Sequence, residues 1–135
     1  MLVTMASFKG GVGKTTTAVD IACYLQKKAP TLLIDGDENR SATGRNEGGS
    51  LPFRVADEFQ DVRYAREFEH IVIETQARPS KDDLKLLAGG CDLLLLPTTP
   101  DRLSLEALLL TVGALFELNF NAFRFALAEE RLEYI

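Results

Sequence analysis

The stretch Phe8–Thr17 reads FKGGVGKTTT, and it lies between an apolar run, Leu2–Ser7, and the start of a helical pattern. Its glycines allow the backbone to fold into a tight loop whose amide groups point inward. These amides and the N-terminus of the following helix form a site for phosphate oxygens. The order of strand, glycine-rich loop and helix therefore predicts a phosphate-binding loop rather than a turn that happens to contain lysines.

Side chains of this loop match the chemistry of a nucleoside triphosphate with a magnesium ion. Lys14 directly follows the last glycine, where its ammonium group can reach the β- and γ-phosphates. Thr15 provides a hydroxyl where a magnesium ion that bridges these phosphates would lie, and Thr16 can bond an α-phosphate. The loop thus carries the groups that a triphosphate site needs.

The loop departs from the common pattern G-x-x-x-x-G-K-[ST], because Phe8 stands where the first glycine is expected and Lys9 follows it. The string KGGVGKTT resembles the deviant Walker motif of the ParA/MinD family of ATPases. Later segments are similar to the family's acidic and proline-containing segments and come in the same order. These segments are Leu32–Asn39 (LLIDGDEN), His70–Pro79 (HIVIETQARP) and Leu93–Asp101 (LLLLPTTPD).

Apolar runs alternate with helical patterns along the chain, which predicts an α/β protein. The runs Thr31–Ile34, His70–Glu74 and Asp92–Leu96 are continuously apolar, as expected for parallel strands that are covered on both faces. The resemblance implies a three-layer P-loop NTPase fold with a mostly parallel β-sheet flanked by helices. A short strand is expected at Phe53–Val55, and further helices at Asp57–Glu67, Ser80–Ala88 and Ser104–Leu118.

The resemblance also implies a mechanism in which two subunits enclose two ATP molecules, each with Mg²⁺. Asp35 would hold the metal through water, and Asp37 would orient or activate the attacking water. Lys9 would reach across the interface to the partner's nucleotide. The implied catalytic residues are Lys9, Lys14 and Asp37; the nucleotide-binding residues are Lys9, Gly10, Gly11, Val12, Gly13, Lys14, Thr15 and Thr16; the metal ligands are Thr15, Asp35 and Glu74.

Two departures from the family pattern keep a second interpretation open. Glu74 stands where the family normally has aspartate, and its extra methylene matters because magnesium demands near-octahedral geometry. The chain is also expected to be C-terminally shortened, without the later strands that supply adenine and DNA contacts in the family. The first hypothesis is an ATPase, weak or partner-stimulated, whose dimerisation positions plasmids, chromosomes or other cargo. The alternative is a shortened nucleotide-binding or partner-binding module that does not hydrolyse ATP.

Two regions are predicted: residues 1–115 as the nucleotide-binding domain and residues 116–135 as a divergent C-terminal tail. The phenylalanines of the tail fit either a strand or a helix, because both spacings are present. We expect the tail to cover the open edge of the sheet. A segment that docks a partner and a frame-shifted or engineered end are the alternatives.

Composition restricts the partners. The chain of 135 residues is 46% hydrophobic, which excludes a disordered protein. It has no apolar run of the ~18 residues that a membrane span needs and no secretory signal, so we expect a cytoplasmic protein that does not bind membranes. The net charge of −5 argues weakly against a surface that binds nucleic-acid phosphates by itself, so non-specific DNA is a possible but weakly supported partner. The expected protein partners are a second copy or a homologous ATPase, and a partition or adaptor protein.

Overall fold

The computed structural model describes residues 1–36, 42, 44, 48–57 and 62–118, and its centre is a sheet of parallel strands. In space the strands follow the order β3-β2-β4-β1-β5, and each neighbouring pair is parallel. The carboxyl ends of all the strands therefore meet at one edge of the sheet. The strands are β1 (Leu2–Met5), β2 (Thr31–Asp35), β3 (Arg54–Asp57), β4 (His70–Glu74) and β5 (Leu93–Leu95).

Helices connect the strands and lie close to their predicted bounds. α1 (Lys14–Gln26) follows β1, α2 (Lys81–Gly90) lies between β4 and β5, and α3 (Arg102–Glu117) follows β5. Ser80 and Asp101 cap α2 and α3, since each side chain accepts a hydrogen bond from a backbone amide of the first turn. The start predicted for α2 at Ser80 agrees with this cap, whereas α3 begins at Arg102, two residues before the predicted Ser104.

The helix predicted over Asp57–Glu67 is wrong at its start. Asp57 is the last residue of β3, where it pairs with Asp35 of β2, and Val62–Glu67 forms a 3₁₀ helix. Ala56 is buried in this pairing. Backbone hydrogen bonds to β2 and burial against the sheet outweigh the local helical pattern.

Helices cover both faces of the sheet. Successive residues of a strand point to opposite faces, and here they pack into two different core clusters. Val3 and Met5 pack in a core cluster with α1, and Leu93 and Leu95 contact the same cluster. Ala6 belongs to a second cluster, together with Leu84 of α2 and Leu115 of α3. Leu94 and Leu96 pack against this second cluster. The predicted layers of helix, parallel sheet and helix are confirmed.

The outer face of α3 carries large apolar side chains that solvent reaches. Leu103, Leu109, Leu110 and Phe116 are each more than half exposed among the described residues. Even so, no helix in the described ranges is both long and apolar enough to span a bilayer. Residues 119–135 lie outside the described part of the chain, so the division at residue 115 and the role of the tail stay predictions.

Candidate nucleotide-binding site

The loop between β1 and α1 is shaped by glycines in the left-handed region. Gly11 has a φ of 74° and Gly13 a φ of 88°, values that residues with a Cβ atom rarely adopt. Gly13 is the N-cap residue of α1, and no side chain caps this helix. The first turn of α1 therefore receives no hydrogen bond from its N-cap side chain, and phosphate oxygens are acceptors that match a helix N-terminus.

Space remains in front of this loop. Among the described residues, a Cβ atom built on Gly10, Gly11 or Gly13 would meet no atom within 4 Å apart from those of its own chain neighbours. Val12 between them is buried, with 4% of its surface exposed, so it anchors the loop while the neighbouring glycines face outward. The loop has the open form that a ligand's close approach requires.

Charged and polar groups from three elements gather behind the loop. Lys14 begins α1, and Asp35 and Glu74 end the adjacent strands β2 and β4, where they are direct register partners. All three are buried, at 8%, 2% and 1% exposure. Burial of charges is expensive unless opposite charges and hydrogen bonds compensate, so each of these side chains needs polar partners in its surroundings.

Thr15 joins this group through its side chain. Its Oγ1 donates a hydrogen bond to Oε1 of Glu74. Thr16, the next residue, is exposed at the start of α1. The structure thus brings Thr15 and Glu74 of the predicted site into contact and places Asp35 beside Glu74 in the sheet. Lys14 directly precedes Thr15 in α1, and Asp37 lies outside the described residues.

The segment after β4 is attached to the start of the loop. Thr75 donates to the carbonyl of Met5 through its amide, at 3.2 Å, and through its hydroxyl, at 2.6 Å. The amide of Arg78 donates to the carbonyl of Ser7 at 3.0 Å, and Arg78 has a φ of 60°. A positive φ at a residue other than glycine is strained, so this attachment is maintained at a conformational cost.

Lys9 makes contacts that the sequence analysis did not foresee. Its Nζ lies 3.1 Å from Oδ1 of Asp101 and 2.7 Å from Oγ of Ser104, both at the N-terminus of α3. The side chain of Lys9 is 34% exposed, whereas Lys14 is buried. The segment LLLLPTTPD was recognised in the sequence, but nothing in its spacing indicated that Asp101 would meet the loop.

Asp101 is stabilised in its charged form. Hydrogen bonds from the Ser104 side chain, from Thr99, from the Ser104 amide and from Lys9 hold its pKa well below 3.8. Each donor favours the carboxylate over the neutral acid. Lys9 therefore faces a full negative charge throughout the physiological range.

The donor set behind the loop fits a magnesium ion. The hydroxyl of Thr15 and the carboxylates of Asp35 and Glu74 are hard oxygen donors, which magnesium prefers. Within the described ranges, no group of three or more His, Cys, Asp or Glu residues could hold a metal alone.

Comparison with known proteins then decides the family. The sequence pattern of the CobQ/CobB/MinD/ParA nucleotide binding domain matches residues 3–126. The chain belongs to this family. Both the predicted resemblance and the predicted P-loop NTPase fold are confirmed.

Relatives of this CobQ/CobB/MinD/ParA-type chain are longer than it is. It is 36% identical to maintenance of carboxysome distribution protein A of Gloeobacter kilaueensis, in a match that covers 82% of this chain and 55% of that protein. It is 30% identical to protein virC1 of Rhizobium rhizogenes, over 87% of this chain and 57% of that protein. The chain thus spans about half the length of these curated relatives.

A solved structure supports the fold independently. A candidate plasmid partition protein from Borrelia burgdorferi, bound to AMPPNP, superposes with a TM-score of 0.66. It is 23% identical, and the match covers 87% of this chain and 69% of that chain. At this level of identity the likeness establishes the shared fold.

Proposed function

We propose that this chain binds Mg-ATP at the loop of residues 8–17 and works as an ATPase whose nucleotide-dependent dimerisation positions a cargo. The observation that carries the proposal is the meeting of Thr15 and Glu74 beside the uncapped N-terminus of α1. A hydroxyl, buried carboxylates and the N-terminus of a helix at one point match a triphosphate with its cation. The names of the relatives support a role in cargo distribution.

Different groups of the loop are proposed to bind different parts of the triphosphate. The backbone amides of residues 10–16 donate to its oxygens, and Lys14 neutralises charge on the β- and γ-phosphates. Gly10 has no positive φ, and a Cβ atom there would meet none of the described residues beyond its chain neighbours within 4 Å, so the missing side chain leaves room for the nucleotide to approach.

Magnesium would be held by Thr15, with Asp35 and Glu74 as the further oxygen donors. When bound, it supplies positive charge that stabilises the transferred phosphoryl group. Asp37 is proposed to orient the attacking water, and Lys9 to contact the nucleotide of a second subunit. Phosphoryl transfer depends mainly on such positioning and charge.

A nucleotide-binding module with little turnover is the second candidate. The direct bond between Thr15 and Glu74 favours it, because the longer carboxylate engages the very hydroxyl that the metal requires. In this case nucleotide binding would drive association with a partner, and the bound ATP would not be hydrolysed rapidly.

The partners and the location rest on the same proposal. A second copy or a homologous ATPase is the proposed dimer partner, and a partition or adaptor protein the proposed regulator. Non-specific DNA is a weaker candidate, because the net charge of −5 opposes binding to phosphates. The cytoplasmic location stays a prediction.

Thermal unfolding with and without Mg-ATP tests the binding step. At a nucleotide concentration of about 100 times Kd, binding stabilises the folded chain by roughly 2.7 kcal/mol. We expect Lys14→Ala to abolish the increase in Tm. Lys85→Ala is the matched control, because Lys85 is exposed on α2, and it should retain the full increase. A wild-type chain whose Tm does not respond to Mg-ATP would refute the proposal.

Release of phosphate distinguishes the two candidates. The ATPase predicts turnover that Asp37→Ala stops, while the module predicts binding without turnover. Both measurements use the same preparation, so a failure of binding is separated from a failure of hydrolysis.

A further inference from the structure

The ammonium group of Lys9 is enclosed by a hydrogen-bonded network at the start of α3. Oδ1 of Asp101 accepts from Lys9 at 3.1 Å and from the amide of Ser104 at 3.0 Å. Oδ2 accepts from the hydroxyls of Thr99 and Ser104, both at 2.5 Å. Both carboxylate oxygens are thus engaged by named donors, and the position of the carboxylate is fixed.

Ser104 gives this network a rigid base. Its side chain is buried at 1% exposure, and its Oγ accepts a bond of 2.7 Å from Lys9 while it donates to Asp101. The turn before α3 contains Pro97 and Pro100, whose rings limit the backbone around Thr99. Lys9 therefore meets a preformed acceptor site rather than a mobile surface carboxylate.

The charge of Asp101 is essential to this contact. A helix N-terminus carries a partial positive charge and disfavours a cation nearby. Lys9 approaches the N-terminus of α3 all the same, so the negative carboxylate must outweigh the dipole. A neutral acceptor of the same shape would retain the cap of α3 but lose the attraction for Lys9.

We propose that Asp101, supported by Thr99 and Ser104, is the resting partner of Lys9 in the single subunit, and that it competes with the phosphates of a second subunit for this lysine. The proposal rests on the proposed dimer, in which Lys9 contacts the partner's nucleotide. One ammonium group cannot occupy both positions. Formation of the nucleotide-bound dimer therefore requires release of the Lys9–Asp101 contact, and Asp101 acts as a positioning residue that sets the threshold for association.

Asp101→Asn separates the competition from the helix cap. Asparagine caps a helix about as well as aspartate, so α3 and the fold are expected to persist. The loss of charge removes the attraction for Lys9. Asp82→Asn is the matched control. Asp82 is an exposed acidic residue in the first turn of α2, and its substitution by asparagine changes the net charge by the same amount. Ser104→Ala is a second variant that deletes one bond to Lys9 without a change of charge.

The first measurement is NMR of the lysine ammonium groups in the whole chain without nucleotide. The Lys9 signal, assigned by its loss in Lys9→Arg, should show slowed hydrogen exchange in the wild type and in Asp82→Asn. We expect this protection to disappear in Asp101→Asn and to weaken in Ser104→Ala. Fast exchange of the Lys9 ammonium in the wild type would overturn the contact itself, whatever the nucleotide does.

The second measurement is the protein concentration at half-association with a slowly hydrolysed ATP analogue and magnesium. A partly exposed ion pair that competes with association predicts that Asp101→Asn lowers this concentration by about two- to fivefold, while Asp82→Asn does not. Unchanged or weaker association in Asp101→Asn would overturn the competition. If the wild type binds the analogue but never associates, the dimer and the release step fail together, and the NMR result still stands for the contact.

Discussion

Thr15, in the first turn of α1, donates a hydrogen bond to the carboxylate of Glu74, the last residue of β4. The bond joins the phosphate loop to the centre of the sheet, because β4 lies between β1 and β2. Glu74 is almost fully buried, and an aspartate at this position would end about one methylene short of the hydroxyl. In the nucleotide-free chain, the extra methylene of Glu74 thus allows its carboxylate to accept the hydrogen bond from Thr15.

Glu74→Asp is expected to raise ATP hydrolysis. The shorter carboxylate frees the Thr15 hydroxyl for magnesium, and a positional change of about 1 Å can alter a rate on the order of 100-fold. Stability of the nucleotide-free chain should fall by about 1.5–3 kcal/mol as the charge-assisted bond is lost. Phosphate release and urea unfolding measure the two effects. Glu69→Asp is the control, since Glu69 is exposed beside β4; equal gains in turnover in both variants would contradict the role of Glu74.

Gly10 and Gly13 should respond differently to alanine. Gly10→Ala meets open space at a residue with no positive φ, so its Tm should change little while Mg-ATP binding weakens. Gly13→Ala forces a Cβ atom onto a φ of 88°, which costs about 1–2 kcal/mol even before nucleotide is added.

Gly113→Ala is the control for the effect of a glycine-to-alanine substitution outside the loop. Gly113 lies inside α3 with open space around it, so the change should stabilise the chain by about 0.5–1 kcal/mol. Thermal unfolding and a nucleotide titration distinguish all three variants. If Gly10→Ala binds Mg-ATP as tightly as Gly113→Ala, the loop does not approach the nucleotide at Gly10.

Asp101 predicts a specific dependence on acid. Its folded-state pKa is held below 3.8 by hydrogen bonds, so its carboxylate contributes stability above that pH and loses the contribution as the pH falls through the folded-state pKa. The difference in unfolding free energy between wild type and Asp101→Asn should therefore be constant from about pH 5 to 8 and shrink below about pH 4. Urea unfolding across this range measures it. A difference that already changes between pH 8 and 6 would point to another titrating group.

Arg78→Gly should stabilise the nucleotide-free chain. Arg78 has a φ of 60°, and relief of a left-handed conformation is worth about 1–2 kcal/mol. This exceeds the cost of about 0.5–1 kcal/mol that the extra freedom of glycine adds in either variant. Gln76→Gly is the control, because Gln76 is exposed in the same segment without a positive φ; it should lose about 0.5–1 kcal/mol. Denaturant unfolding compares the pair. A destabilised Arg78→Gly would mean that the arginine side chain contributes more than the strain removes.

Much of the architecture could be predicted because its signals are local. The glycines before Lys14, the serine before α2 and the apolar run of β4 each determine their own element. The start of the predicted helix at Asp57 failed, since pairing of β3 with β2 depends on residues far away in the chain. The meeting of Lys9 and Asp101 was beyond sequence reasoning for the same reason. The roles of Asp35 and Glu74 were implied only by the family resemblance, and the structure places the two residues side by side because parallel strands end at one edge.

The sequence separation of Lys9 and Asp101 has a consequence for how the chain is made. They are 92 positions apart, so a ribosome that adds about 5–20 residues per second exposes Lys9 roughly 5 to 20 seconds before its counterpart exists. β1 also lacks its pairing partners for some time, because both of its neighbours in the sheet, β4 and β5, are translated long after it. The phosphate loop is therefore synthesised well before β4 and β5, the two strands that complete its surroundings in the sheet.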